Sequence, residues 1–249
     1  MLSDYNSAIA TKLVVTTSWD DGHPLDLRLA ELLLKHNLPA TFYVPLRTER
    51  PTMSPAQIRE LSANFEIGGH TLTHCDLNRV SLTVARTEIA GCKADLEQIT
   101  GRPCLSFCFP RGHFRHQHLA EVRQAGFTLA RTVELMSFDR PRPVCGLLLL
   151  PTSVQAHATG WPAQLRNGAK RLRLGNLLRA LRCRRADWAA SVELLLAQFM
   201  RFGGVFHLWG HSWEIDTADD WQRLEQVFVQ LAQLRNRASF TTNGNIVRL

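Results

Sequence analysis

Val14-Val15-Thr16-Thr17-Ser18-Trp19-Asp20-Asp21-Gly22 is a β-branched, largely apolar run that ends in two adjacent carboxylates and a glycine. Such a run reads as a buried strand, and two acids at its end are costly to bury unless a cation neutralises them. Asp-Gly also makes ordinary turns, so in isolation the same residues fit a solvated loop. A second stretch, Gly68-Gly69-His70-Thr71-Leu72-Thr73-His74, supplies two imidazoles that a helical turn would point the same way. With one of the two carboxylates they would make a three-ligand set that leaves a metal position open to water. Taken alone, a His-x-x-x-His spacing more often marks surface and core histidines than ligands.

The chain has 249 residues, enough for one large α/β domain and near the usual size of a barrel of alternating strands and helices. With 45% hydrophobic and 20% charged residues the composition is that of a globular protein. Met1-Leu2-Ser3-Asp4-Tyr5-Asn6 lacks a basic segment leading into an apolar run. No stretch approaches the roughly eighteen uncharged apolar residues of a membrane span, so neither a signal peptide nor a span is expected. Cys75, Cys92, Cys104, Cys108, Cys145 and Cys183 contain no Cys-x-x-Cys. That argues against a thiolate zinc site and for a reduced, cytoplasmic chain.

Apolar periodicity and caps predict helices over 25–36, 54–64, 81–100, 116–124, 188–200 and 219–235. Ser54, Pro55 and Gln57 form a capping-box signature, and Asp187 sits at an N-cap position ahead of Trp188. Strands are expected over 40–44, 65–68, 105–109, 128–132, 147–151, 205–211 and 238–241, with Pro141-Arg142-Pro143 as a loop. No linker long enough to split domains interrupts this rhythm. The expectation is therefore a single-domain distorted (β/α) barrel of about seven parallel strands spanning 1–249, with its core motifs over about 12–215. Both acid and histidine motifs directly follow strands, where such barrels build their chemistry.

The order Thr17-Ser18-Trp19-Asp20-Asp21-Gly22, then His70-Thr71-Leu72-Thr73-His74, resembles the polysaccharide deacetylase family, the NodB-homology or family 4 carbohydrate esterases. There the first motif reads Thr-Phe-Asp-Asp-Gly, so this chain has one extra residue and Trp for Phe. The resemblance implies a divalent metal, zinc above all, on Asp21, His70 and His74, with Asp20 as general base. The family's late Leu-x-His element is matched by Trp209-Gly210-His211, making His211 the general acid, with Glu214 close enough to orient it. His207, deeper in the same strand, is expected to be a hydrogen-bonded core residue. Phe107-Cys108-Phe109-Pro110-Arg111-Gly112 falls where the family carries its pocket rim, so Pro110, Arg111, Gly112, Trp209 and also Glu214 are expected against substrate. A backbone N–H around Arg111-Gly112 would face the oxyanion. Cys108 stands where the family has the arginine that holds the base, leaving Arg111 or another residue to supply that charge. Asp187-Trp188 echoes the family's Asp-Trp element, but capping explains Asp187.

What these matches imply is hydrolysis of an acetyl or formyl group on the nitrogen of an amino sugar. An intracellular intermediate of surface-glycan assembly, nucleotide-linked or lipid-linked, fits a chain without a secretion signal. Two alternatives stay open: another small linear or cyclic amide as substrate, or a non-catalytic glycan-binding relative. The net charge is +7, and seven of the residues over 170–185 (Lys170, Arg171, Arg173, Arg179, Arg182, Arg184 and Arg185) are basic and interleaved with leucines. Such a helix can rest on an anionic membrane surface or pack on the core with a solvated face. Nucleic acid is a poorer fit, because the stretch has no aromatic residue to stack on bases.

Overall fold

β1 (Leu13–Asp20) is the strand on which the sheet is centred, buried along all but its first residue. The computed structural model of the chain describes residues 13–157, 174–183, 187–215 and 217–249. On one edge β1 pairs with β9 (Gly204–Gly210), from Leu13 opposite Gly204 to Trp19 opposite Gly210. On the other edge β2 (Thr41–Val44) takes its carboxyl end and β10 (Ser239–Phe240) its start. The remaining strands are β3 (Glu66–Gly69), β4 (Ser106–Cys108), β5 (Leu129–Arg131), β6 (Arg142–Val144), β7 (Leu147–Leu150) and β8 (Val154–Gln155). Their order is β6-β7-β5-β4-β3-β2-β1-β9-β8, and every pairing but β6 with β7 is parallel. The run β7-β5-β4-β3-β2-β1-β9 supplies the expected seven principal parallel strands.

The sheet is strongly curled, and one contact proves it. Asp20 on β1 touches Arg131 on β5, four strands away in the pairing order. In a flat sheet, four steps of about 4.8 Å would separate them by about 19 Å. Other inward-facing residues of β1 bond to neighbouring elements: Thr16 bonds Asn243, just past β10, and Ser18 bonds His207 Nε2 on β9 at 2.8 Å. Alternation sends Val15 and Trp19 outward into the main hydrophobic cluster beneath the helices.

The helices are α1 (Asp26–Lys35), α2 (Pro55–Leu61), α3 (Leu82–Thr100), α4 (His116–Gln124), α5 (Leu174–Cys183), α6 (Trp188–Phe202) and α7 (Ala218–Ala232). The Ser54–Gln57 capping box forms as expected, but α2 stops at Leu61 rather than 64. Asp187 caps α6 through Ala190 N–H, the role its position suggested. Pro141–Pro143 corrects the loop expectation: 142–144 is an antiparallel edge strand on β7. Proline is tolerated there because an edge strand needs only half its N–H groups. Cys145 (φ 53) and Gly146 (φ 75) make the two-residue turn between them, both left-handed as tight hairpins require. Of the basic stretch, Lys170, Arg171, Arg173, Arg184 and Arg185 lie outside the described residues. All six cysteines are free thiols. Among the described residues no helix is long and apolar enough to cross a membrane.

Candidate metal and acid–base site

The carboxyl ends of five strands converge on one cleft of about 460 Å³. Asp20 ends β1, His70 follows β3, Cys108 ends β4, Arg131 ends β5 and His211 follows β9. Asp21 and Gly22 turn the chain out of β1 in left-handed conformation (φ 76 and 61). A side chain on Gly22 would come within 2.7 Å of Val44, so glycine is what allows the turn to lie flat on β2.

Asp21 meets both histidines. Its Oδ1 is 3.2 Å from His74 Nε2 and 3.6 Å from His70 Nε2, and the three donor atoms lie within 4.8 Å of one another. The histidines do not share a helical turn, as their spacing suggested. They flank a loop with Thr71 (φ 62) and His74 (φ 58) left-handed, conformations a β-branched or bulky residue adopts only when its surroundings impose them. Glu88 on α3 supplies part of that constraint by accepting from both the N–H and the hydroxyl of Thr73, each at 2.9 Å. His70 Nδ1 is 2.8 Å from the Cys108 carbonyl, which fixes its ring with Nε2 toward Asp21.

This triad fits a divalent cation. Asp21 Oδ1 is buried and has no hydrogen-bond partner, although a buried carboxylate oxygen is costly to leave unmet. Tetrahedral ligands about 2.0–2.1 Å from a zinc ion stand roughly 3.3 Å apart, close to the two separations found. Against the desolvation that burial imposes, contacts with His70 and His74 hold the Asp21 carboxyl far below its usual range. His70 is raised correspondingly, against its own burial, by Cys108 and Asp21. Asp21 Oδ2 is held separately by Trp213 Nε1 and Arg50 Nη1, each at 3.1 Å. A second cluster, Asp20, His70 and Cys108, suits a cation less well. Burial raises the Cys108 thiol, and Asp20 is already engaged.

Asp20's partner is Arg131, whose Nη2 reaches both carboxylate oxygens. The two side chains are almost wholly buried. Burial opposes ionisation of Asp20, yet Arg131, then His70 and His211, hold its carboxyl below the usual range. Arg131 also stacks on Trp209, its guanidinium 4.4 Å from the ring centroid. Arg111 therefore does not compensate for the arginine missing at Cys108; it lies exposed on the rim. The sequence reading missed Arg131, although an arginine directly after Leu129-Ala130 in a strand flanked by buried neighbours demands an acidic partner.

His211 lies 4.0 Å from Asp20 through Nε2, while Nδ1 meets Glu214 at 2.7 Å. Burial would lower its pKa, but Glu214 and then Asp20 raise it. Glu214 is lowered in turn, against burial, by the same contact. Its principal contact is thus His211, with Gln155 beside it at 3.2 Å. His207 is a core residue as expected, bonded to Ser18 and the Pro151 carbonyl, and burial together with Arg131 pushes it down to about 3.

At the rim, Arg111 (φ 58), Gly112, Trp209, Trp213 and Phe109 line the cleft. Pro110 is buried and does not. The Gly112 N–H already donates to the Phe109 carbonyl at 2.8 Å, so of the two rim amides only that of Arg111 remains for an oxyanion.

The polysaccharide deacetylase family model matches residues 8–130. No curated protein sequence matches the chain significantly. Solved structures do. A protein from Mycobacterium smegmatis assigned as a polysaccharide deacetylase superimposes over 97% of this chain and 91% of its own, with TM-score 0.71 and 17% identity. A family 4 acetyl xylan esterase from Clostridium thermocellum, solved with a cobalt ion, covers 94% and 90% with TM-score 0.59 and 18% identity. A family 4 pseudoenzyme from Bacillus anthracis covers 95% and 66% with TM-score 0.56 and 16% identity. The chain spans 45% of another match, a polysaccharide deacetylase from Bacillus cereus. Residues 8–130 thus match the polysaccharide deacetylase family by sequence, and the described residues take the fold that the family 4 carbohydrate esterase structures share.

Proposed function

We propose that the protein is a metal-dependent N-deacylase that removes an acetyl or formyl group from the nitrogen of an amino sugar, within a glycan or surface-polysaccharide intermediate. The observation that carries this reading is the unpartnered Asp21 Oδ1 facing two imidazole nitrogens, with the Asp20 carboxylate and the His211 imidazole beside it. Asp21, His70 and His74 would hold the ion, with zinc favoured by two imidazoles and one carboxylate. When bound, a divalent cation makes water more acidic and polarises an acyl carbonyl.

The remaining steps belong to the chain. Asp20 takes the proton of the attacking water. Its carboxylate is kept ionised by Arg131, which also fixes its direction. His211 gives a proton to the departing nitrogen, since an amine leaves poorly unless it is protonated. Glu214 stabilises the charged imidazole and aims Nε2 inward. The Arg111 N–H and the rim of the cleft receive the acyl oxygen.

Cys108 in the usual arginine position favoured a non-catalytic relative, and one matched structure is a pseudoenzyme. Arg131 on Asp20 supplies the charge that Cys108 does not, which supports the catalytic reading. A cytoplasmic location at the inner membrane face belongs to the same proposal. Leu174, Leu178 and Leu181 stand exposed at helical spacing on α5, and Arg182 is exposed beside them. Replacing Arg182, Arg184 and Arg185 with Ala should weaken binding to anionic liposomes; unchanged partitioning removes the membrane contact. For the reaction, metal content is measured before and after chelation, and acetate and formate release is followed on N-acylated amino sugars and on ureide rings. Turnover of the sugars that is lost in Asp20→Asn supports the proposal. Full metal occupancy with no acid released, and no effect of Asp20→Asn, would overturn it.

A further inference from the structure

Three acids, Asp20, Asp21 and Glu214, and three arginines, Arg50, Arg111 and Arg131, line the cleft. Each acid is accounted for. Asp20 is paired with buried Arg131, Glu214 with His211, and Asp21 faces the two imidazoles. Of the arginines, Arg131 is likewise paired, but Arg111 and most of the Arg50 fork are not. Arg111 is exposed at the rim and has no hydrogen bond or ion pair among the described residues. Arg50, its side chain 56% exposed, spends one nitrogen on Asp21 Oδ2 and lies 5.4 Å over the Trp213 ring. A cation on Asp21 would offset the only acid that Arg50 touches among the described residues. The mouth of the cleft is therefore a cationic surface beside an acid–base pair that is already internally balanced.

A neutral sugar gives two guanidiniums nothing to neutralise, whereas a phosphate or carboxylate matches their fork of donors. We infer that the substrate carries an oxyanion, a phosphate or a carboxylate, close to its acyl group, and that Arg111 and Arg50 are the residues selecting it. This rests on the deacylase reading and narrows its substrate class. Trp213, 37% exposed and bonded to Asp21 through its indole N–H, holds Arg50 over the cleft and offers a ring face alongside.

The test compares three probes on zinc-loaded protein: an N-acetylhexosamine, its monophosphate and an N-acetylated hexosaminuronate. Binding is measured by calorimetry and turnover by acetate release. The anionic probes should bind about tenfold to a hundredfold more tightly than the neutral one, as a charge-assisted hydrogen bond allows. Which of the two is preferred distinguishes phosphate from carboxylate. In Arg111→Gln, and further in Arg50→Gln/Arg111→Gln at equal metal content, the ratio of anionic to neutral binding should fall toward one. Equal binding of neutral and anionic probes overturns the inference while leaving hydrolysis standing. A preference that survives in the double variant assigns the anion to the metal and also overturns it. Tight, Arg111-dependent binding without acetate release sustains the oxyanion site and counts against the hydrolase reading instead.

Discussion

Arg131, at the end of β5, closes on both carboxylate oxygens of Asp20, at the end of β1, with both side chains almost wholly buried. Removing one partner of such a pair strands the other's charge in a medium that cannot solvate it. Arg131→Met should lower unfolding free energy by about 3–5 kcal/mol, measured by urea denaturation. Asp20→Asn added to Arg131→Met should recover part of that loss. Arg131→Lys should not restore the parent, because an ammonium lacks the planar guanidinium that lies 4.4 Å over the Trp209 ring. The Asp20 carboxyl is lowered in the folded state, so the pair's stabilisation is present above the ordinary carboxylate range. It is lost as pH falls below about 4 toward the folded value.

The contact between His211 and Glu214 sets a second expectation. In the proposed reaction His211 must be protonated to serve the leaving nitrogen, so activity should fall as pH rises through its pKa. Burial alone would lower that pKa; Glu214 raises it. Glu214→Gln should therefore move the alkaline limb of the kcat profile to lower pH, whereas a residue that only contacts substrate would change KM and leave the limb in place. His211→Gln should cost about a hundredfold to ten-thousandfold in kcat.

These two partnerships differ in how far the sequence announced them. Glu214 is three residues from His211, and local spacing sufficed to suggest the contact. Arg131 is distant from Asp20 in the chain, and only the curl of the sheet brings β5 round to β1. The same limit explains the histidine loop. The i, i+4 spacing of His70 and His74 suggested a helical turn, whereas convergence is achieved by two left-handed residues and an anchor on Glu88 of α3. Arg50 and Trp213, which grip the outer oxygen of Asp21, carried no local signal. The proposed ligand set was legible because Asp21 and His70 directly follow β1 and β3, His74 lies four residues further on, and a parallel sheet brings those strand ends together.

Metal binding should appear in stability independently of turnover. An ion that binds only the folded chain at a hundred times its dissociation constant adds about 2.7 kcal/mol. Added zinc should raise the thermal midpoint of the parent protein and a chelator should reverse the rise. His74→Ala should abolish the zinc-dependent shift, since it removes one of the three groups proposed to hold the ion. A midpoint indifferent to zinc in the parent would count against Asp21, His70 and His74 as ligands.

Asp26 gives a pH dependence of opposite sign to Asp20. It is wholly buried in the first turn of α1, and burial pushes its carboxyl well above the usual range, with Asp21 and Asp20 adding to the effect. The folded chain therefore keeps a proton that the unfolded chain has released. Stability declines as pH rises from the ordinary carboxylate range toward the raised folded value, with a slope of up to about 1.4 kcal/mol per pH unit. Asp26→Asn mimics the neutral acid and has no proton to lose, so its stability relative to the parent should grow with pH across that window. Denaturant midpoints of the two proteins at matched acidic and neutral pH measure the slope. A constant difference would mean that Asp26 is ionised in the folded chain and that a cation or donor beside it outweighs its burial.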